Sequence, residues 1–410
     1  MSETPQIVEL SISDVVYRGK GIARLDGRVV FVAGVACGEK VRARIVKHHK
    51  NYSEASLVEV IEASPHRITP ACSLALHRDG SPASGCPGCC YQHIDYSEEI
   101  RLKQSQFINL MARIAGVDKD VIRPAVPSPV EKGYRNKIVL HGGGTAEKPL
   151  LGYVADDNKA IVDVHECLLA QSEINLLVAE LRADSAMMST MVQGRRLTLR
   201  YTPADGALAW VGKSAINDPW LKENVVVGEM LVPRDSFSQI NSALAGILVQ
   251  RVIEQLKTNV PAAVIDLYCG AGLFSFAAAD AGVPRVLGVD NDPEAVRAAQ
   301  RNANVRNLNG CAFLARSAEA GLQEVLRSVA PATTTAIVDP SRRGLERGVI
   351  DLLAGAKLGQ IMYISCAPDT MARDVALLTA AGYRVSSACL FDMFPRTAYF
   401  ESLTCLTIGK

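Results

Sequence analysis

The stretch IMYISCAPDTMARD, residues 361–374, reads as a strand, a turn and a helix in direct succession. Its first five residues are apolar and β-prone, a proline marks the turn, and Asp369 or Thr370 can cap the helix. This places Cys366 at the carboxyl end of a strand, the edge at which open α/β sheets bind their ligands. An intracellular cysteine is more often a small buried hydrophobe, so a function for the thiol needs support from the rest of the chain.

The same alternation of strand and helix runs through the C-terminal part of the chain. Strands are predicted at 264–267, 286–289, 336–338 and 361–365, and helices at 236–257, 293–307 and 370–381. This order predicts an α/β fold, a doubly wound parallel sheet that begins near residue 235.

Two further regions precede this sheet. Between 7 and 62, short β-like runs at 29–32, 41–46 and 55–61 alternate with turn signals, which predicts a five-stranded barrel of the oligonucleotide-binding kind. Paired strands around tight turns between 126 and 235 predict a central antiparallel sheet with short helices. The predicted domains are therefore 1–63, 64–234 and 235–410.

Composition allows a globular protein and sets limits on its partners. The chain has 410 residues, 48% of them hydrophobic, and 44 Lys and Arg against 43 Asp and Glu, so its net charge of +1 does not by itself indicate a nucleic-acid partner. A local basic surface is predicted on one strand, where Lys40, Arg42 and Arg44 recur with period 2 and so share one side. Because no stretch reads as a signal peptide or a membrane span, we expect a cytoplasmic protein that does not bind membranes.

Eleven cysteines in a chain without a signal peptide argue against a disulfide framework. Cys72, Cys86, Cys89 and Cys90 crowd one segment, in which a C-x-x-C and an upstream cysteine offer three thiolates. A tetrahedral metal or an iron–sulfur cube needs a fourth ligand, and Cys167, in a polar turn after a strand, is the best placed. Zinc is the simplest occupant, whereas a redox C-x-x-C is disfavoured because no βαβ pattern surrounds it.

A second motif, DLYCGAG at 266–272, ends an apolar strand and begins a helix. Gly270 and Gly272 allow the backbone to turn sharply and to pass close to a ligand. Asp290 stands 18 residues beyond Gly272, after the next strand, where a carboxylate can bind the ribose hydroxyls of a nucleoside. Since a dinucleotide fingerprint requires G-x-G-x-x-G, the spacing favours S-adenosylmethionine over NAD.

Two acidic residues complete the candidate chemistry, Asp339 after the strand at 336–338 and Glu401 near the C-terminus. The C5 atom of a pyrimidine is a poor nucleophile toward a methylsulfonium, but a thiolate that adds to C6 makes C5 nucleophilic. A base must afterwards remove the C5 proton so that the thiolate can leave. Cys366 and Glu401 would supply the thiolate and the base, although any single glutamate is most often a surface residue.

These motifs, in their order, resemble those of the RNA uracil-5-methyltransferase family: SFSQIN at 236–241, DLYCGAG, DPSRRG at 339–344, YISCAPDT at 363–370 and FPRTAYFE at 394–401. The N-terminal part resembles a TRAM domain, an RNA-binding module, in VYRGKGIARLDGRVVFV at 16–32 and GEKVRARI at 38–45. With CPGCCYQH at 86–93, the chain is most similar to the iron–sulfur 23S ribosomal RNA (uracil-5-)-methyltransferases.

The resemblance implies an enzyme that uses S-adenosylmethionine to form 5-methyluridine in RNA. It implies that Cys366 is the nucleophile and that Glu401 removes the proton. The implied contacts to the methyl donor are Gln239, Tyr268, Asp290 and Asp339, beside the backbone at Gly270 and Gly272. The implied ligands of a [4Fe–4S] cluster are Cys72, Cys86, Cys89 and Cys167, without Cys90.

The resemblance also implies an RNA partner, 23S ribosomal RNA first and transfer RNA as the alternative, bound by a monomer that flips the target uridine out of its stack. The sequence departs from the family pattern at Ala367, Ser341 and Leu273, where the family commonly has Asn, Pro and Asn. An RNA-binding or chaperone protein with an inactive methyltransferase domain is therefore a second hypothesis. A cytosine-5-methyltransferase is a third, which the glutamate after FPRTAYF disfavours.

Overall fold

The computed structural model describes residues 6–75, 85–192, 194–214 and 220–409. Its N-terminal sheet has the strand order β1-β5-β6-β4-β3-β2 around a core of small aliphatic side chains. These strands are β1 (Ile7–Ser11), β2 (Asp14–Val15), β3 (Lys20–Leu25), β4 (Arg28–Ala33), β5 (Lys40–His48) and β6 (Tyr52–Glu62). The strands predicted at 29–32, 41–46 and 55–61 are confirmed, but the described part of this sheet has six strands where five were expected.

The cations predicted to share one side of β5 alternate with the buried Val41, Ala43 and Ile45, so they do face solvent together. Part of their charge is neutralised within the sheet. Lys40 Nζ lies 3.3 Å from a carboxylate oxygen of Glu9 on β1, and a similar ion pair joins Arg42 to β6. The contact of this face with RNA stays a prediction.

The central part is built on a sheet of order β11-β10-β7-β8-β9, backed by two helices. Both predicted hairpins are present, one between β8 and β9 and one between β10 and β11. The elements in chain order are α1 (Tyr96–Ala115), β7 (Lys137–Gly144), β8 (Pro149–Val154), β9 (Ile161–Asp163), α2 (Ser172–Ala183), α3 (Ser185–Met191), β10 (Arg196–Thr202), β11 (Gly206–Val211), β12 (Trp220–Val225) and β13 (Gly228–Pro233).

The C-terminal sheet has the order β16-β15-β14-β17-β18-β20-β19. The five neighbouring strands β16, β15, β14, β17 and β18 are parallel, while β20 runs antiparallel to both β18 and β19. The elements are α4 (Ser242–Thr258), β14 (Ala263–Leu267), α5 (Leu273–Asp280), β15 (Val286–Asp290), α6 (Pro293–Val305), β16 (Cys311–Ala315), α7 (Ala318–Leu326), β17 (Thr334–Val338), α8 (Arg347–Ala356), β18 (Gln360–Ser365), α9 (Pro368–Ala380), β19 (Tyr383–Phe391) and β20 (Glu401–Ile408).

The prediction of a purely parallel sheet is therefore wrong at one edge, where the chain turns back as a hairpin after α9 instead of crossing over through another helix. Two helix starts are also corrected. Helix α4 begins at Ser242 instead of 236, because the Asn241 side chain caps it by accepting the Leu244 N–H. Helix α9 begins at Pro368, so neither Asp369 nor Thr370 is its N-cap; Ala367 is.

Packing crosses the expected boundary at residue 235. Helix α1, from the central part, buries Phe107 and Met111 in the same core as Tyr363 of β18. From the other side, Met230 of β13 belongs to a core with Leu244 of α4. The C-terminal sheet is thus covered on both faces only with the help of residues that precede 235.

None of the helices in the described ranges combines the length and the apolarity that a bilayer-spanning helix needs.

Candidate active site

The antiparallel pairing of β18 with β20 brings the two predicted reactive residues together. The last paired residues are Ser365 and Ser402, and the Ser402 hydroxyl also donates to the Ser365 carbonyl over 3.1 Å. Cys366 follows Ser365 and Glu401 precedes Ser402, so one step further along the ladder the thiol and the carboxyl group stand opposite each other. Both lie at the carboxyl edge of the parallel strands, as the sequence predicts for Cys366.

The Cys366 thiol is partly buried among acidic neighbours. Its pKa is raised to about 12, mainly by burial and in smaller part by the Glu401 and Asp339 carboxyl groups. The Arg342 guanidinium, at hydrogen-bond distance from the thiol, acts in the opposite direction. Without a ligand, this thiol is therefore protonated near neutral pH, and its activation depends on a change in the surrounding charge.

The Glu401 side chain is 3% exposed, and its Oε1 atom has no hydrogen-bond partner in the described part of the protein. Burial raises the pKa of this carboxyl group well above its ordinary value, and Asp339 adds to the effect, while Arg342 opposes it. A buried polar atom without a partner costs stability, so its presence marks a position kept for a reason other than folding.

Two further carboxyl groups lie at the same edge. Burial raises the pKa of Asp339 to about 7, with a contribution from Asp266. Asp266, near the end of β14, is fully buried, and burial raises its pKa to about 7 even though the Ser275 hydroxyl donates to it over 2.6 Å. Buried carboxyl groups with raised pKa values at a strand end are typical of functional sites.

The loop after β14 has the backbone geometry that a nucleoside site requires. Tyr268, Gly270 and Gly272 all have positive φ, at 64°, 53° and 97°. A side chain at Gly272 would come within 2.7 Å of the Phe276 ring, so the turn admits only glycine. The Gly270 N–H donates to Asp290 at the end of β15 over 2.9 Å, which fixes that carboxylate beside the loop.

One cavity joins most of the residues that were expected to bind the methyl donor. Gln239, Tyr268, Gly270 and Asp339 line it together, whereas Gly272 and Asp290 do not. The Tyr268 hydroxyl is buried there without a hydrogen-bond partner among the described residues. The cavity thus combines an apolar wall with a small number of unsatisfied polar groups, a composition typical of ligand sites.

Two residues at the site were not among the predicted site residues. Arg342 lies beside Cys366, and its guanidinium stacks 4.0 Å from the centre of the Tyr399 ring. Both side chains belong to quoted motifs, DPSRRG and FPRTAYFE, so an arginine directly after a strand-end aspartate was the available signal.

The cysteines expected to hold a metal, Cys72, Cys86, Cys89 and Cys167, line a second, small cavity in the central part. The pKa of Cys86 is raised to about 11, mainly by burial and in smaller part by the neighbouring Cys167 and Cys72 thiols. The cavity volume is about 20 Å³, the space of a single water molecule. Within the described ranges, no group of three or more His, Cys, Asp or Glu side chains is arranged to hold a metal ion. The four thiols are gathered as expected, while their role as ligands stays a prediction.

Comparison with known proteins agrees with this arrangement. Residues 225–408 match the family model described as tRNA (Uracil-5-)-methyltransferase, and residues 2–58 match the TRAM domain. Residues 225–408 thus belong to the RNA uracil-5-methyltransferase family. The protein is an RNA methyltransferase with an N-terminal TRAM domain.

Relatives of similar length are named RNA methyltransferases. The chain is 29% identical to an RNA methyltransferase of Aquifex aeolicus over 98% of each chain. It is 28% identical to an RNA methyltransferase of Synechocystis over 98% of this chain and 95% of that protein. The solved tRNA (uracil-54, C5)-methyltransferase of Pyrococcus abyssi, in complex with S-adenosyl-L-homocysteine, has the same fold, with a TM-score of 0.72 and 24% identity over 97% of this chain and 100% of that one.

Proposed function

We propose that this protein transfers a methyl group from S-adenosylmethionine to C5 of a specific uridine in RNA. The observation that carries the proposal is the register of β18 and β20, which sets Cys366 opposite Glu401. Both side chains lie within electrostatic range of Asp339, which lines the cavity described above. C5 methylation requires a nucleophile that adds to C6 and a base that removes the C5 proton, both within reach of one pyrimidine. Two hydrogen-bonding groups in this region, Tyr268 Oη and Glu401 Oε1, have no partner among the described residues and are available to ligands.

Each residue has a separate task in this proposal. The Cys366 thiol first loses its proton to water. The thiolate sulfur then forms a bond to C6 of the uracil, and the electron pair of the 5,6 double bond moves onto C5 and the C4 carbonyl. The bound donor supplies an electrophilic methyl group on a sulfonium. After C5 has taken the methyl group, the Glu401 carboxylate removes the C5 proton. The electron pair then restores the double bond and expels the Cys366 thiolate.

The charges at the sheet edge suit this sequence of steps. Gln239, Tyr268 and Asp339 line the cavity that would hold the donor. Asp290 accepts a hydrogen bond from the Gly270 N–H, in the loop that would hold the nucleoside. A cationic sulfonium beside Asp339 favours the ionised form of that carboxyl group. The proposal therefore makes ionised Asp339 part of the recognition of the donor.

The test is covalent trapping. Wild-type protein, incubated with S-adenosylmethionine and an RNA in which uridine is replaced by 5-fluorouridine, should form a protein–RNA adduct that survives denaturing gel electrophoresis, because fluorine cannot leave as a proton. Cys366→Ala should form none. Cys389→Ala, which changes a partly buried thiol on β19, is the matched control and should form the adduct at the wild-type level. An adduct that persists in Cys366→Ala would contradict the assignment.

For the RNA substrate we propose 23S ribosomal RNA, because the cysteine-containing segment resembles the iron–sulfur members that act on it. The match to a family model described for transfer RNA supports the alternative. Mapping of 5-methyluridine in ribosomal and transfer RNA from cells with and without the gene distinguishes the two. Loss of 5-methyluridine from neither RNA would contradict both.

We propose further that Cys72, Cys86, Cys89 and Cys167 hold a [4Fe–4S] cluster. Four soft thiol ligands around one cavity are a donor set that suits iron and sulfide, although the thiols would have to move apart to admit a four-iron cluster. Methyl transfer is electron-neutral, so a structural role is the simplest one. Anaerobically purified protein should contain about four irons per chain and lose them in Cys86→Ala; zinc in their place would contradict this proposal.

A further inference from the structure

The loop between β19 and β20, residues 392–400, leads directly into Glu401 and is mostly buried. At its centre Arg396 is 2% exposed and has a left-handed backbone with φ of 68°. This conformation is unfavourable for a residue with a side chain and persists only where surrounding contacts hold it. The contacts of Arg396 therefore determine how the chain enters Glu401.

Four hydrogen bonds join Arg396 to the cysteine segment, which we define as residues 85–94. The Arg396 guanidinium donates to the carbonyl oxygens of Tyr91 and Ile94 over 2.7 and 2.6 Å. In return, the Arg396 carbonyl accepts the N–H groups of Cys90 and Tyr91 over 3.1 and 3.2 Å. The chain directly after the predicted ligand Cys89 is thus bonded to the loop that ends at the proposed base.

Helix α1 supports the same loop from a second side. Glu99 Oε1 accepts the Arg396 N–H and the Lys103 ammonium group, each over 2.7 Å. Lys103 also donates to Asp392 over 2.6 Å and to the Phe394 carbonyl over 3.3 Å. Because the Glu99, Lys103 and Asp392 side chains are excluded from solvent, these contacts are rigid and are not screened by water.

Two smaller contacts complete the support. The Tyr134 hydroxyl donates to the Pro395 carbonyl over 3.0 Å. Phe400, directly before Glu401, packs edge-on against Phe107 of α1 with ring centres 5.9 Å apart. By contrast, Cys366 lies on the β18–α9 turn, outside this set of contacts.

We propose that Arg396 is a positioning residue, through which the cysteine segment holds Glu401 in place for removal of the C5 proton. The inference rests on the proposed function and extends it, since it gives the cysteine segment a task in the last step of the reaction. The earlier step, addition of the thiol and methyl transfer, uses groups that Arg396 does not touch. Disturbing Arg396 should therefore stop the reaction at a methylated, covalently bound intermediate.

The experiment uses the full-length protein, S-adenosylmethionine and in vitro transcripts of 23S rRNA and of tRNAs that contain ordinary uridine. Arg396→Lys keeps the positive charge but loses the paired bonds to Tyr91 and Ile94. The lifetime of the denaturation-resistant adduct should increase on the order of 100-fold over wild type, as expected when a catalytic group is displaced by about 1 Å. Glu401→Gln is the positive control, because its adduct cannot lose the C5 proton.

Arg67→Lys is the matched control, since Arg67 also donates to a buried carboxylate, Glu39, and to a carbonyl, that of Gly34. It should leave the adduct lifetime unchanged. Circular dichroism identifies variants that fail to fold. If Arg396→Lys is one of them, Tyr134→Phe replaces it as the test variant, and its adduct lifetime should increase several-fold over wild type. The inference is overturned if folded Arg396→Lys resolves the adduct at the wild-type rate or forms no adduct. If Arg396→Lys does not fold, a wild-type adduct lifetime in Tyr134→Phe overturns it. Failure of Glu401→Gln to accumulate adduct would instead contradict the proposed function itself.

Discussion

Two groups of buried charges stand at opposite ends of the loop 392–400, and they are built in opposite ways. At the β19 end, Lys103 bonds to both Glu99 and Asp392, so that charges of both signs offset each other. At the β20 end, Glu401 and Asp339 are acids in a buried region, with the Arg342 guanidinium as the cation that acts on Glu401. Residues 392–400 thus connect the ion-paired cluster of Lys103, Glu99 and Asp392 to the acids Glu401 and Asp339, which have less compensating positive charge.

The difference separates a structural role from a chemical one. Where the ions are paired, the Lys103 ammonium keeps its proton: burial alone would lower its pKa, but the Glu99 and Asp392 carboxylates raise it. Where they are not, burial raises the pKa of Asp339 to about 7, and the neighbouring Asp266 carboxyl group contributes to the rise. Burial also raises the pKa of Glu99, in the paired cluster, to about 7. The two ends therefore differ in whether a cation is hydrogen-bonded to the acids, as Lys103 is to Glu99 and Asp392.

Removing one member of the paired cluster should produce the largest change in stability. Lys103→Met leaves the carboxylates of Glu99 and Asp392 buried with less compensation, so the free energy of unfolding should fall by about 3–5 kcal/mol. Urea denaturation followed by circular dichroism measures it. Adding Asp392→Asn should recover part of the loss, because it removes one of the uncompensated carboxylates.

The exposed Lys159 provides the control, since Lys159→Met should change the free energy of unfolding by less than about 0.5 kcal/mol. If Lys103→Met costs no more than this control, the cluster is not held together by its charges and the contrast between the two ends of the loop disappears.

The unpaired acids should make donor binding depend on pH. Asp339 has a raised pKa of about 7 and its charged form is the one that a sulfonium cation favours, so a bound donor requires the proton to leave. The affinity for S-adenosylmethionine should therefore rise about tenfold between pH 6 and pH 8. Isothermal titration calorimetry over this range measures it.

S-adenosylhomocysteine is the matched ligand, because it has the same amino acid and nucleoside but no sulfonium charge. Its affinity should change less over the same range. In Asp339→Asn the extra pH dependence of S-adenosylmethionine should be lost. Parallel pH profiles for the two ligands in the wild type would show that the raised pKa of Asp339 has no part in donor recognition.

Much of this site can be predicted from local sequence, because the end of each parallel strand is recognisable from the residues around it. Apolar runs that stop at Asp266, Asp290, Asp339 and Cys366 place polar groups at one edge of a sheet whatever the order of the strands. The glycines of the donor loop are equally local signals, since the left-handed φ of Gly272 belongs to a single turn.

What could not be predicted depends on long-range pairing. Nothing near Glu401 indicates that β20 runs antiparallel beside β18, and a shift of one residue would turn this carboxyl group to the other face. Likewise, Arg396 reads as an exposed cation in a turn, because the carbonyl groups and the carboxylate that bury it come from about 300 residues earlier in the chain. The packing of α1 on the C-terminal sheet has the same origin.

The smallest predicted effect concerns the turn that bears the nucleophile. Ala367 is the N-cap of α9, and its side chain makes no capping hydrogen bond to the N–H groups of the first turn. Ala367→Asn supplies an acceptor at that position and should raise the free energy of unfolding by about 1 kcal/mol. Gln171→Asn at the N-cap of α2, which also lacks a side-chain hydrogen bond, is the control and should give a similar gain away from the site. If only Gln171→Asn stabilises the protein, the buried surroundings of Ala367 have no room for an asparagine side chain. The alanine is then required by packing at the end of β18, independently of the unpaired acids Asp339 and Glu401.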